Sequence, residues 1–196
     1  VVEALLSDLV EISRLDSSSE KIDKSHFALD DLLSPLNNEF TALATQAGIH
    51  FSYQLRQCVV HSDKRMLRRV IQNFLSNAVH YCNDKQGEKS TIANRIVLGI
   101  RRTQAMIRVE VWDNGPGIAL AQQKAIFREF ERLEQNREIP GLGLGLAISE
   151  RIANLLGLKI SVKSQLGKGT CFSIEIPRVS ESEAATVNTN TSKKLN

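Results

Sequence analysis

The residues best suited to chemistry lie in Trp112-Asp113-Asn114-Gly115-Pro116-Gly117-Ile118. Met106 to Val111 alternates in the manner of a half-buried strand, so Asp113 is delivered to the strand's C-terminal end, where the chain breaks at once into a turn. Gly115 and Gly117 let backbone approach a bound molecule closely, and Pro116 fixes φ between them. A buried carboxylate beside such backbone is a good acceptor for an aromatic amine edge. Taken by itself the stretch is equally an Asn-Gly turn carrying an incidental aspartate.

Three further stretches share this character. Asn73, Asn77 and Tyr81 follow at i, i+4 and i+8 with His80 beside them, along one side of a helix. Two amides at the edge of a buried face need partners, in the protein or in a ligand. Gly141-Leu142-Gly143-Leu144-Gly145 opens a second helix, whose free N–H groups and positive end make a phosphate cradle. It is neither a Walker loop nor a dinucleotide fingerprint, because Gly-Lys-Ser/Thr is absent and the spacing is Gly-x-Gly-x-Gly. Gly167-Lys168-Gly169 turns a final hairpin that ends in Thr170-Cys171-Phe172.

In this order the four stretches resemble the N, G1, G2 and G3 boxes of the catalytic, ATP-binding domain of sensor histidine kinases, within the wider gyrase/Hsp90/MutL-like ATPase superfamily. Ile126-Phe127-Arg128-Glu129-Phe130 resembles the family's F box, and the resemblance covers residues 1–178. It implies a Bergerat-type α/β fold: a two-layer sandwich in which a mixed, mostly antiparallel sheet packs on three helices. ATP would lie between the Asn73 and Gly141 helices with its adenine on Asp113. Asn77 would hold Mg²⁺, His80 would face phosphate, and Asn73 and Asn77 would form the catalytic pair. Tyr81, Gly115, Gly117, Gly141, Leu142, Gly143, Leu144, Gly145 and, more weakly, Thr170 complete the implied nucleotide contacts, although the Tyr81 ring suits packing better than chemistry.

The implied activity is transfer of the ATP γ-phosphoryl to a histidine on the protein's own dimerisation domain, in a homodimer, with a response regulator or receiver domain downstream. The acceptor is expected elsewhere, since no His-Glu/Asp pair occurs: His26 precedes Phe27, His50 precedes Phe51, His61 precedes Ser62 and His80 precedes Tyr81. The rival within the superfamily is an ATP-hydrolysing machine of the gyrase/MutL/Hsp90 type. Such members typically carry Glu where this chain has Asn73, and an amide is no useful general base for water. A third reading, a non-catalytic nucleotide-binding scaffold, would fit degenerate boxes, and these are intact.

The positioning elements follow from periodicity. Asp30 or Asp31 is expected to cap a helix running to Ala47, and Ser62 or Asp63 one running to Cys82. In the latter Leu67, Ile71, Phe74, Leu75, Ala78 and Cys82 form one apolar stripe. Strands are expected at Phe27–Leu29, Ile49–Leu55, Cys58–Val60, Ile92–Arg101, Leu158–Val162 and Cys171–Ile176. Ala119 to Phe127 reads as a short helix, with Phe127 and Phe130 as apolar anchors. Glu131 to Pro140 has no apolar stripe and falls where the family has a mobile lid carrying Arg132 and Arg137.

Residues 1–16, with Val2, Leu5, Leu6, Leu9, Ile12 and Leu15 in a stripe, are expected to be the end of a dimerisation hairpin, and 17–24 a linker. The catalytic domain is placed at 25–178 and a disordered tail or linker at 179–196. Val1-Val2-Glu3 opens mid-helix and carries no signal peptide, as expected of a piece of a longer protein. The 196 residues, 42% hydrophobic and 24% charged with net charge +3, suit a globular chain without a nucleic-acid or membrane partner. A cytoplasmic place is expected, the full protein being membrane-anchored or not. Cys58, Cys82 and Cys171 read as buried free thiols, and the four histidines make no zinc pattern.

Overall fold

The computed structural model describes residues 10, 21–54, 58–82, 93–131 and 143–179. In chain order the elements are β1 (Ser25–Ala28), α1 (Asp30–Gln46), β2 (His50–Gln54), β3 (Val59–Ser62), α2 (Lys64–Cys82), β4 (Arg95–Arg102) and β5 (Met106–Asp113). Two 3₁₀ turns (Leu120–Gln122 and Ala125–Phe127) precede α3 (Gly145–Leu156), β6 (Lys159–Gln165) and β7 (Gly169–Pro177). β2, β4, β5, β7 and β6 lie side by side in that order, while β1 and β3 form a separate two-stranded sheet. Only β2 and β4 run parallel; the other pairs in the five-stranded sheet are antiparallel. The described residues therefore hold the mixed, mostly antiparallel sheet and the three helices expected of an α/β sandwich.

Alternation decides which face of the sheet is covered. Side chains two apart on a strand share a face, so Ile107, Val109 and Val111 of β5 stand in rows with Ile176, Ile174 and Phe172 of β7, all buried. α2 answers with the stripe Leu67, Ile71, Phe74, Leu75, Ala78 and Cys82, every member buried. Phe74 stacks on Phe172 with ring centroids 5.3 Å apart, and Phe127 meets the same ring edge-on at 6.3 Å. That aromatic cluster fixes α2 against the strand carrying Thr170.

Asp63 starts α2. Its Oδ1 accepts the Met66 N–H at 3.0 Å, and its Oδ2 accepts the Asp23 N–H at 3.0 Å, so one carboxylate caps the helix and fastens the segment before β1. Other local expectations are corrected. α1 follows Leu29 with no side-chain cap; Asp30 and Asp31 sit in its first turn, where negative charge favours the helix end. The expected helix over Ala119–Phe127 is the two 3₁₀ turns instead. Phe130 is 58% exposed with φ of 59°, so it anchors nothing, and Ile126 fills the core beside Phe127.

Cys58, Cys82 and Cys171 are buried thiols outside any disulfide. Among the described residues no helix is long and apolar enough to cross a membrane, and no three His, Cys, Asp or Glu side chains gather as metal ligands. The expected dimerisation helix, apart from Val10, and the lid and C-terminal tail, apart from Glu131 and Val179, lie outside the described residues, as do Gly141 and Leu142.

Candidate functional site

The rows of the covered sheet face end in a polar one. Beyond Val111–Phe172–Val162 the next row across β5, β7 and β6 is Asp113–Thr170–Ser164, set by the pairings Asp113 with Thr170 and Ser164 with Thr170. These side chains share the face of the core but reach past its apolar part. Asp113 Oδ1 accepts the N–H of Gly115 at 2.8 Å and that of Thr170 at 3.3 Å, while Oδ2 receives no hydrogen bond among the described residues. Burial pushes the carboxyl up to about 6 against the pull of those two N–H groups. Asp113 is thus a half-satisfied acceptor whose second oxygen is left without a partner among the described residues.

The turn after Asp113 is clamped on both sides. Asn114 Oδ1 accepts the Arg95 N–H at 2.7 Å and the Cys82 thiol at 3.3 Å, while its Nδ2 donates to the Ala93 carbonyl at 2.9 Å. A Cβ on Gly115 would stand 2.9 Å from Asp113 Oδ1 and 3.0 Å from the Tyr81 carbonyl, so only glycine lets the turn close on the end of α2. Gly117, at φ +74°, has its α-carbon against the hairpin: a Cβ there would stand 2.1 Å from the Gln165 carbonyl. Gly167 N–H donates to Pro116 O at 2.7 Å, and Gln123 Nε2 donates to Ile118 O at 3.0 Å and Ser164 O at 2.9 Å. Gly117 therefore holds turn to hairpin, whereas Gly115 abuts the carboxylate.

One helical turn separates two asparagines with different surroundings. Asn73 Nδ2 donates to the Gly145 carbonyl at 2.8 Å and to Ser149 Oγ at 3.1 Å, while Ser149 Oγ donates to the same carbonyl at 2.8 Å. The side-chain amide nitrogen of Asn73 thus ties α2 to the first turn of α3. Asn77 is half-buried and its side chain makes no hydrogen bond among the described residues. The His80 ring keeps an exposed edge, yet desolvation by the protein around it holds its pKa below the ordinary value. Gly143 takes a left-handed conformation just before α3, and Leu144 is buried in the core, so only its backbone is placed to meet a ligand.

The predicted residues accordingly fall in two groups. Asp113, Thr170, Gly115 and the Tyr81 backbone meet at the sheet end; Asn73 and Gly145 meet where α2 crosses α3, with Asn77 and His80 further along α2. Sequence reasoning missed Ser164, Ser149, Asn114 and Gln123 as the groups that fasten these parts. Ser164 carried a signal: it shares the parity of Ile160 and Val162, so it is a polar residue at an inward position.

A mixed sheet with three helices on one face, a lone carboxylate ending a central strand and a helix of spaced amides beside it make up the Bergerat-type α/β sandwich. Residues 62–180 match the family model described as histidine kinase-, DNA gyrase B-, and HSP90-like ATPase, and the chain belongs to that family. The sensor histidine kinase RppB of Synechocystis sp. is 34% identical over 177 residues, covering 88% of this chain and 37% of RppB. Full-length ShkA, solved in complex with AMPPNP, superposes with a TM-score of 0.75 at 24% identity, covering 90% of this chain and 36% of that one. The catalytic domain of the histidine kinase ThkA, nucleotide-free, gives 0.65 at 25% identity, covering 80% of this chain and 98% of that domain. The chain spans little more than a third of RppB and matches one catalytic domain almost end to end.

Proposed function

We propose that this chain is the catalytic part of a two-component sensor histidine kinase, binding ATP and passing its γ-phosphoryl to a histidine on the protein's own dimerisation domain. The observation that carries the reading is the Asp113 carboxylate, half-buried and held through Oδ1 by two backbone N–H groups, with Oδ2 left unbonded among the described residues as an acceptor for the adenine amine. The phosphates would extend along α2 toward the start of α3, where Gly143, Gly145 and the backbone of Leu144 precede a positive helix end. By sequence Gly141 and Leu142 belong to the same glycine-rich stretch.

Asn77 fits a hard cation: it is a neutral oxygen donor without a protein partner among the described residues. Mg²⁺ held there would neutralise charge between the phosphates. Phosphoryl transfer asks the protein mainly for position and charge balance, and His80 beside Asn77 adds a cation once phosphate draws a proton onto it. Hydrolysis is disfavoured by Asn73. Its nitrogen is spent on α3, and its remaining oxygen cannot take a proton from water.

The acceptor histidine, the homodimer and the response regulator or receiver domain belong to the whole protein, with residues 1–16 as the end of the dimerisation hairpin, 17–24 as linker, 25–178 as catalytic domain and 179–196 as tail. A cytoplasmic setting follows from that role. The test is γ-labelled ATP incubated with this chain, with and without the parent's dimerisation hairpin. The hairpin acquires acid-labile, base-stable label and the chain alone acquires none. Label on the isolated chain would misplace the acceptor, and label on neither, with ATP bound, would favour the scaffold.

A further inference from the structure

Ser164 makes more hydrogen bonds in the site than any residue expected to touch nucleotide. Its Oγ accepts the Ile118 N–H at 2.8 Å, donates to the Gly169 carbonyl at 2.9 Å and lies 2.9 Å from Thr170 Oγ1. A hydroxyl owns one proton and two lone pairs. The Gly169 carbonyl can only accept, so the Ser164 proton is spent there, and the bond between the two hydroxyls must be donated by Thr170. Thr170 Oγ1 then has no proton left to offer. Both its lone pairs remain to accept, and the hydroxyl stands in the same row, and on the same face, as Asp113.

We infer that Ser164 is a positioning residue for base selection: it holds Thr170 as an acceptor beside Asp113, so that the pocket takes a purine with a 6-amino group and rejects a 6-oxo purine. The inference rests on the nucleotide reading above and goes beyond it. Two fixed acceptors can each take one proton of an exocyclic amine, whereas a carbonyl at that position would face two oxygens with no donor between them. Ser164 is itself fixed by the turn–hairpin clamp through Ile118 N–H and by Gln123 at its carbonyl, so the proton order is built into the fold.

The test is calorimetry at pH 8, where Asp113 is ionised, with Mg-ATP and Mg-ITP on the wild type, Ser164→Ala, Ser164→Thr and Thr170→Val. Ser164→Ala frees the Thr170 hydroxyl to turn its proton toward a carbonyl, so the preference for ATP over ITP narrows by about tenfold. Ser164→Thr keeps the hydroxyl and retains the wild-type ratio. An equal loss for both nucleotides in Ser164→Ala, with the ratio unchanged, would reduce Ser164 to a structural brace and overturn the inference. Should Ser164→Ala not fold, Thr170→Val decides: the ratio narrows if Thr170 accepts from the base, and a widened ratio, the mark of a donating Thr170, overturns it. Absence of any nucleotide binding by the wild type would instead remove the reading beneath it.

Discussion

At the sheet end of the site Asp113 has one oxygen held by two backbone N–H groups and the other open, in a row fixed by strand register. Further along α2, Asn77 has no protein partner among the described residues and His80 shows an edge to solvent. On the proposed reading the two ends of the nucleotide would thus meet different kinds of surface. Reading a base requires an acceptor placed before the ligand arrives, because a neutral heterocycle brings little field of its own to organise a side chain. Phosphates and their metal bring several charges, so the side chains that meet them can be ordered on binding. Asn73 lies between these regimes: its amide is locked, but locked onto α3, so it joins the two helices.

The largest expected effect lies at the preorganised end. Asp113→Ala removes the acceptor and leaves the amine unpaired, and Asp113→Asn presents a donor to a donor. Either should weaken Mg-ATP by about a hundredfold or more, read by calorimetry. An unchanged affinity would break the comparison at its firmer side.

The same carboxylate should cost stability. Its pKa is raised from 3.8 to about 6, so the fold prefers the neutral acid. The contribution to stability is fully present below the unfolded value and is lost as pH rises through about 6. Asp113→Asn keeps an oxygen for the two N–H groups without the charge. It should therefore be more stable than wild type at pH 8 by about 1–3 kcal/mol, a margin that shrinks toward pH 4. Urea denaturation at the two pH values measures it, and a margin independent of pH would show that the burial of charge is not what strains this end.

These contrasts were unevenly legible in the sequence. Alternation over Met106–Val111 was enough to place Asp113 at a strand end, and the apolar stripe of α2 was enough to bury its core face, because both follow from a single period. What Asn73 bonds to was not, since Gly145 and Ser149 reach it only through the packing of α3 on α2. Ser164 was visible in parity, but a serine beside a hairpin turn reads as solvated until Thr170 and Ile118 are seen to surround it. Phe130 misled through hydrophobicity alone; a left-handed backbone turns it outward. The stretch from Ala119 to Phe127 failed as a helix because its short turns are fastened from outside, Gln123 bonding back to Ile118 and across to Ser164.

At the looser end a smaller effect is expected, and one that depends on the metal. Asn77→Ala should weaken ATP about tenfold when Mg²⁺ is present, and much less in EDTA, where no cation asks for the amide oxygen. An equal loss in both media would mean that Asn77 meets the nucleotide directly. A loss larger than that of Asp113→Ala would invert the order of the two ends.

The smallest effect is a proton. In the free protein desolvation holds the His80 imidazole below its ordinary value, so at neutral pH the ring is uncharged and adds nothing to the field that phosphate meets. A polyphosphate brought beside it favours the imidazolium by direct attraction, opposing the desolvation. The pKa should therefore rise on binding, and by linkage ATP should bind more tightly as pH falls from 8 toward 7, before protonation of Asp113 near 6 reverses the trend. Affinity against pH then passes through a maximum whose alkaline limb belongs to His80 and whose acid limb belongs to Asp113. NMR titration of the His80 ring with and without Mg-ATP reads the first directly. His80→Gln should flatten the alkaline limb and leave the acid one in place. A His80 pKa that stays put on binding would move the phosphates away from this side of α2, leaving the cradle before α3 to carry their charge.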